Sequence, residues 1–262
     1  MRTSWLARLL LAAAAMAPLD AAFAADVRVM ISAGFFHVYS ELSPAFERAS
    51  GHHLITTRGP SMGDSPESIP TRLAHGEAAD VVILDGGAAD KLVSANLLRA
   101  DSKVTLARSL IGMVVKAGAP KPDIGSVEAF KATLLSAKSI ACSDSGSGTY
   151  LSTQLFAKLG IAEEVLPKNR RIRGPPSGEP VAAVVARGEA EIGFQQVSEL
   201  MNVAGTDYVG TIPAELQPGF TFAGVLTRSA ANAEAATALL RFLNSPEADA
   251  VKAKAGLMPA GR

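Results

Sequence analysis

Short apolar runs of strand length alternate with segments of helical spacing along almost the whole chain. That alternation limits the fold to helices layered on sheets. The expected strands are residues 27–31, 54–57, 80–84, 110–116, 139–142, 190–194 and 220–226. The expected helices are 37–50, 69–75, 90–94, 127–135, 150–159, 180–187, 231–244 and 246–255. Gly51 closes the first helix, and Ser126 with Glu128 supplies a cap and a first-turn acid for the fourth. The run Val81-Val82-Ile83-Leu84 has no polar alternation, which fits a strand covered on both faces, as in parallel sheets. Repeated strand–helix units predict an α/β fold with right-handed crossovers. The 262 residues leave room for two such sheets.

Residues 1–24 stand apart from this pattern. Arg2 and Arg8 give a positive start, residues 9–17 an apolar stretch, and Ala22-Phe23-Ala24 a small-x-small cleavage pattern. This is the grammar of a secretory signal peptide. The stretch is too short for a bilayer core of ~30 Å, and no later run offers ~20 uninterrupted apolar residues. No lipobox Cys follows, so the mature chain is expected in the periplasm without membrane insertion.

The whole sequence carries 25 Lys+Arg and 25 Asp+Glu. The leader holds two Arg and one Asp, leaving 23 basic and 24 acidic residues, a net of −1. With no excess of cations to neutralise phosphates, no nucleic-acid partner is expected. Hydrophobic residues at 48% and charged residues at 19% exclude a disordered chain. The single Cys142 excludes an internal disulfide and a Cys-rich metal site, and reads as a small buried hydrophobe. His52 and His53 read as exposed on a turn, and His75 as a cation closing a helix. No His-x-x-x-His pair, no clustered His and carboxylates, and no glycine-rich nucleotide loop occur. No metal and no cofactor are expected.

Several segments carry a family resemblance. They are Ser32-Ala33-Gly34 after the first strand, Gly51 before the second, and Ala79-Asp80-Val81-Val82-Ile83. Arg187-Gly188-Glu189-Ala190-Glu191-Ile192-Gly193 and the ending Phe242-Leu243-Asn244-Ser245-Pro246-Glu247-Ala248 complete the set. With these segments the chain resembles the periplasmic molybdate-binding proteins of ABC transporters. The resemblance implies an α/β, two-lobed type 2 periplasmic-binding-protein fold with a ligand cleft between the lobes. Lobe 1 would take residues 26–106 plus 223–262, and lobe 2 residues 107–222. The resemblance also implies a monomer that grips an anion with hydroxyls and helix-start amides.

Four loops fall where the resemblance places those grips: 32–37, 58–65, 143–149 and 170–178. From them come the expected substrate-binding residues Ser32, Arg58, Ser61, Ser145, Ser147, Thr149, Arg173 and Ser177, with Gln196 after a later strand. The loops depart from a plain oxyanion site. Phe35 and Phe36 add bulk, His37 adds a titratable ring, Arg58 and Arg173 add cations, and Gln196 stands where the family often has Tyr. An Arg fork suits a carboxylate. The expected ligand is therefore a small organic anion with more than one carboxylate, larger than molybdate.

Two functions follow. One is an isomerase grafted on this scaffold, shifting the double bond of an unsaturated tricarboxylic acid by allylic proton transfer. His37 would then be the proton carrier, with Tyr150 as a further catalytic candidate. The other is a binding protein delivering a carboxylate or a molybdate-like oxyanion to an ABC permease.

Overall fold

The computed structural model describes residues 24–201 and 203–261. The expected leader, except Ala24, lies outside the described residues.

The first sheet holds β1 (Asp26–Ile31), β2 (His53–Arg58), β3 (Val81–Asp85) and β4 (Val104–Arg108). The chain then crosses through Ser109 and Leu110 into a second sheet. That sheet holds β5 (Ile111–Lys116), β6 (Ile140–Ser143), β7 (Asn169–Ile172), β8 (Ile192–Gln196) and β9 (Thr206–Thr211). It returns through residues 212–220 to β10 (Thr221–Leu226) and β11 (Met258–Pro259) in the first sheet. The spatial orders are β11-β4-β10-β3-β1-β2 and β7-β6-β8-β5-β9.

The helices in chain order are α1 (Ala33–Ser50), α2 (Ile69–Ala74), α3 (Gly86–Ser94) and α4 (Val127–Ser136). Next come α5 (Gly146–Tyr150), a π segment at Leu151–Leu155, α6 (Phe156–Lys158), α7 (Ala162–Val165) and α8 (Val181–Ala186). The last three are α9 (Val197–Leu200), α10 (Ala233–Leu243) and α11 (Pro246–Lys254). None of the described helices is long and apolar enough to cross a membrane.

Each sheet is covered on both faces. On one face of the first, Phe35, Val38, Leu42 and Phe46 of α1 pack with Leu239 and Leu243 of α10 against Val29, Ile31 and Ile83. On the other, Leu73 of α2 and Leu92 of α3 meet Met30, Val82 and Leu84. Adjacent strand residues feed opposite cores because strand side chains alternate between faces. In the second sheet, Phe130 and Leu134 of α4 pack with Leu155, Phe156 and Phe194 on one side. Val181, Val184 and Val185 of α8 cover Val114 and Ala141 on the other.

The fully buried run of β3 does sit inside its sheet, but with mixed neighbours. It is parallel to β1 and antiparallel to β10. Likewise β5 is antiparallel to both β8 and β9. The antiparallel strands β4, β5, β9 and β10 flank the two crossings. Gln217 fastens those crossings together: its Oε1 accepts from Ile111 N–H at 2.9 Å, and its Nε2 donates to the carbonyls of Ile111 and Ile212 at 3.0 and 3.1 Å.

The parallel strands decide where a site can form. In the first sheet β1, β2 and β3 run the same way, and in the second β6, β7 and β8 do so. Chain leaving their carboxyl ends is where open α/β sheets bind ligands. The two sets of ends face each other across the crossings.

Candidate active-site cleft

All four loops singled out in the sequence reach one cleft. Ser32, Ala33 and Gly34 enter after β1, Pro60 and Ser61 after β2, residues 143–146 after β6, and Gly174 and Pro175 after β7. Asp85 at the end of β3, Gln195 and Gln196 at the end of β8, Glu199 of α9 and Phe222 of β10 complete the wall.

Register brings the first-lobe residues together. Ile31 pairs with Arg58, Ser32 N–H donates to Ile83 O at 2.9 Å, and Gly59 N–H to Ile31 O at 3.0 Å. Ser32 therefore starts α1 at the cleft floor with no side-chain cap bond, so its hydroxyl is not committed to the helix. Ser32 Oγ and Gln196 Oε1 are buried and have no hydrogen-bond partner in the protein, while both residues line the cleft. Buried polar groups are nearly always paired, so two orphans in one cavity mark a place for ligand polar atoms. Gly34 is required where the lobes touch: a Cβ there would lie 2.2 Å from Phe222 Cζ and 2.9 Å from Gln196 Oε1. Beside it, Ser198 Oγ of α9 donates to Gly34 O at 2.7 Å, joining the starts of α1 and α9 across the lobes.

The other expected residues divide. Ser61 lines the cleft, and its Oγ accepts from Asp85 N–H at 3.0 Å. Ser145 also lines it, standing just before α5 with no side-chain bond to the helix and with its Oγ 2.8 Å from Ser143 Oγ. Ser147 lies behind that pair, fully buried, with Oγ 3.0 Å from Ser143 Oγ. Thr149 and Tyr150 stand one turn further into the helix. Thr149 Oγ1 accepts from Arg171 Nη2 at 3.0 Å, and the Tyr150 hydroxyl donates to Leu216 O at 2.8 Å. Tyr150 is thus a brace between the helix and the returning crossing, not part of the cleft wall. Ser177 is exposed beyond the rim.

The three charged candidates are also displaced from the wall. His37 is 53% exposed, 3.9 Å from Glu41 one turn along α1, and is not among the cleft-lining residues. The reason is where the helix starts. It begins at Ala33, four residues before the expected His37, so His37 sits past the first turn. The inward stripe there is Phe35, Val38, Tyr39 and Leu42. Arg58 lies over the Phe36 ring at 4.0 Å from its centroid, in a side groove with Tyr39 and Thr56. Arg173 stands at the rim and pairs with Glu67 of the opposite lobe at 3.4 Å. Arg170 and Arg171, expected in a loop, belong to edge strand β7, and Arg170 pairs with Glu189 at 3.1 Å.

Carboxyls were the residues the sequence reading missed. Burial pushes the Glu199 carboxyl up to about 7, against the Gln195 amide and the Arg58 charge, while Asp144 adds to the rise. Gln195 Nε2 donates to Glu199 Oε2, and Gln195 Oε1 accepts from Val181 N–H at 3.1 Å. Burial also raises Asp85, held back by N–H groups of Ala88 and Gly87 at the start of α3. Asp144 is exposed, with Oδ1 accepting from Gly174 N–H at 3.2 Å. No spacing rule pointed to Glu199: Gln195 lies in β8 and Glu199 in α9, so the strand–helix junction between them breaks both the strand and the helix period. Among the described residues, no three His, Cys, Asp or Glu side chains gather as a metal site.

Two α/β lobes, crossed twice by the chain and closed on a cleft of hydroxyls, amides and helix starts, define a periplasmic-binding-protein-like clamshell. The chain belongs to the family of bacterial extracellular solute-binding proteins, whose pattern matches residues 27–258. It is 46% identical to the aconitate isomerase of a Pseudomonas species, over 88% of this chain and 87% of that protein. It is 29% identical to the molybdate-binding protein ModA of Azotobacter vinelandii, over 94% and 95% of the two chains. Among solved structures, the periplasmic molybdate-binding protein of Azotobacter vinelandii superposes with a TM-score of 0.70 at 20% identity, over 90% of this chain and all of that one. The sulfate-binding protein SubI of Mycobacterium tuberculosis gives 0.67 at 20% identity, over 90% and 87%. The two-lobed fold expected from the sequence is the fold found.

Proposed function

We propose that this protein is an aconitate isomerase, interconverting trans- and cis-aconitate on a solute-binding scaffold. The observation that carries the reading is the 46% identity to an aconitate isomerase over nearly the full length of both chains. The cleft chemistry supports it. Aconitate carries three carboxylates and a methylene whose protons are allylic to the double bond. Hydroxyls of Ser32, Ser61 and Ser145 line the cleft as donors for carboxylate oxygens, with the amide of Gln196 beside them. The allylic shift is redox-neutral and needs a group that takes a proton and gives it back.

We further infer that the protein works in the periplasm as a monomer, after removal of residues 1–24, on a small anionic carboxylate. The test is incubation of the purified mature chain with trans-aconitate, with cis-aconitate resolved by chromatography. Conversion supports the reading. Stoichiometric binding of the acid without conversion would refute it and favour a binding protein serving an ABC permease. In heavy water, product carrying deuterium at carbon distinguishes proton transfer from simple rotation about the double bond.

A further inference from the structure

We propose that Glu199 is the catalytic acid–base group of the cleft, removing the methylene proton of the bound acid and returning it at the far carbon. This assignment rests on the isomerase reading above. Glu199 lines the cleft together with Ser32 and Gln196, whose buried Oγ and Oε1 have no partner within the protein. Ligand polar atoms that satisfy those two groups therefore sit in the same cavity as the Glu199 carboxyl.

The carboxyl is also held in place. Val181 N–H fixes Gln195 Oε1 at 3.1 Å, and the other end of that amide donates to Glu199 Oε2. With Oε2 so engaged, Oε1 is the oxygen left to offer the substrate. The alternatives are less well placed to trade a proton. The Tyr150 hydroxyl donates to Leu216 O behind the cleft wall, the N–H groups of Ala88 and Gly87 favour the charged form of Asp85, and Asp144 is exposed to solvent. His37 is exposed and is not among the residues lining the cleft.

The charged groups around Glu199 set its protonation. Arg58 from β2 draws its pKa down, and Asp144 from the loop after β6 drives it up; Asp85 shares the same cleft from the end of β3. Burial outweighs them, and both protonation states are populated near neutral pH. A group that must accept and then donate one proton works best under that condition.

The step balances without an added reagent. Glu199 carboxylate takes a proton from the methylene carbon. The C–H electron pair becomes the new double bond, and the old double-bond pair moves to the outer carbon. The proton on Glu199 then returns to that carbon. The rotamer about the former single bond, at the moment the proton leaves, sets cis or trans.

The experiment compares wild type, Glu199→Gln and Arg58→Gln on trans-aconitate. Glu199→Gln should lose turnover by a factor on the order of 10²–10⁴. It should keep affinity for trans-aconitate within about tenfold, measured by calorimetry, since the amide still accepts from Gln195. Wild-type kcat/KM should fall as pH drops through about 7, and Arg58→Gln should move that limb to higher pH. Wild type that binds without turnover would sink the isomerase reading itself. Wild type that turns over, with Glu199→Gln equally active, would overturn the role of Glu199 alone. A wild-type kcat/KM flat between about pH 5.5 and 8.5 would also overturn it, with no variant needed.

Discussion

Replacing Glu199 by Gln should stabilise the unliganded protein, and the gain should depend on pH. In the folded chain burial pushes this carboxyl from its ordinary 4.5 up to about 7. The folded state therefore holds a proton that the unfolded chain has already released. The pKa is raised, so the associated stability is fully present below pH 4.5 and is lost as pH rises through about 7. Each pH unit in that window is worth about 1.4 kcal/mol, and the whole window about 3 kcal/mol. The amide introduced by Glu199→Gln would have no proton to lose, and its oxygen would still accept from Gln195. The variant should match wild type near pH 4, apart from a constant offset, and exceed it by about 3 kcal/mol more at pH 8.

Urea denaturation of both proteins at a series of pH values measures this directly. Every other titrating group is common to the two chains, so the difference isolates position 199. A difference that stays flat from pH 5 to 8, or that shrinks with rising pH, would refute the reasoning, because Glu199 would then titrate alike in the folded and unfolded chains.

Three further outcomes follow from packing and exposure. Phe194 is fully buried, edge-on to Phe130 at 5.7 Å between centroids. Phe194→Ala should therefore cost ~3–5 kcal/mol in denaturant unfolding; a loss below ~1 kcal/mol would mean the second-lobe core relaxes around the void. His37→Ala changes an exposed position off the cleft and should leave turnover within about twofold of wild type; a large rate loss would restore His37 as a proton carrier. Cys142 is fully buried, and burial pushes its thiol up to about 12. Ellman's reagent should react with it only after unfolding, and rapid reaction in the native state would show that β6 opens.

Strands were legible where burial left a one-sided record. The apolar run at β3 and the core strands β5 and β10 could be placed within a residue or two. Among strands with mixed exposure, β2 was legible from its β-branched run Ile55-Thr56-Thr57, but β4, β7 and β9 were not. β9 reads Thr-Asp-Tyr-Val-Gly-Thr, and β7 reads Asn-Arg-Arg-Ile at the sheet edge, where Arg side chains reach solvent and imitate a loop. Strand direction was equally hidden, because an all-apolar strand shows that both faces are covered and not which way its neighbours run. Within the site, the four loops could be assigned because the family resemblance places its anion grips there, in segments that follow strands or precede helices. Which side chains turn inward could not. Placing the start of α1 at His37 would aim that ring at the cleft, whereas the start at Ala33 carries it past the first turn. The cationic candidates failed for a related reason: Arg58 and Arg173 find Phe36 and Glu67 close at hand, and sequence spacing shows neither partner.

A cleft that takes a polyanion while holding Asp85, Asp144 and Glu199 poses an electrostatic problem, and a sequence with 25 Lys+Arg against 25 Asp+Glu offers no global field to solve it. The local arrangement does. Asp85 spends its charge on the N–H groups that start α3, and Asp144 is exposed, where solvent screens it. The start of α1 adds the positive end of an 18-residue helix, with no acidic residue in its first turn to cancel it. That leaves Glu199, the carboxyl whose charge is switchable near neutral pH. Protonated, it removes a like charge from the cavity and favours binding. Ionised, it repels the bound carboxylates but is the form that can take the methylene proton. Affinity and turnover should therefore move in opposite directions as pH rises through about 7, with KM and kcat increasing together. A scaffold that only binds has no use for that conflict and would be expected to place a permanently neutral hydroxyl or amide at position 199. The half-buried carboxylate makes sense where the bound anion must also give up a proton.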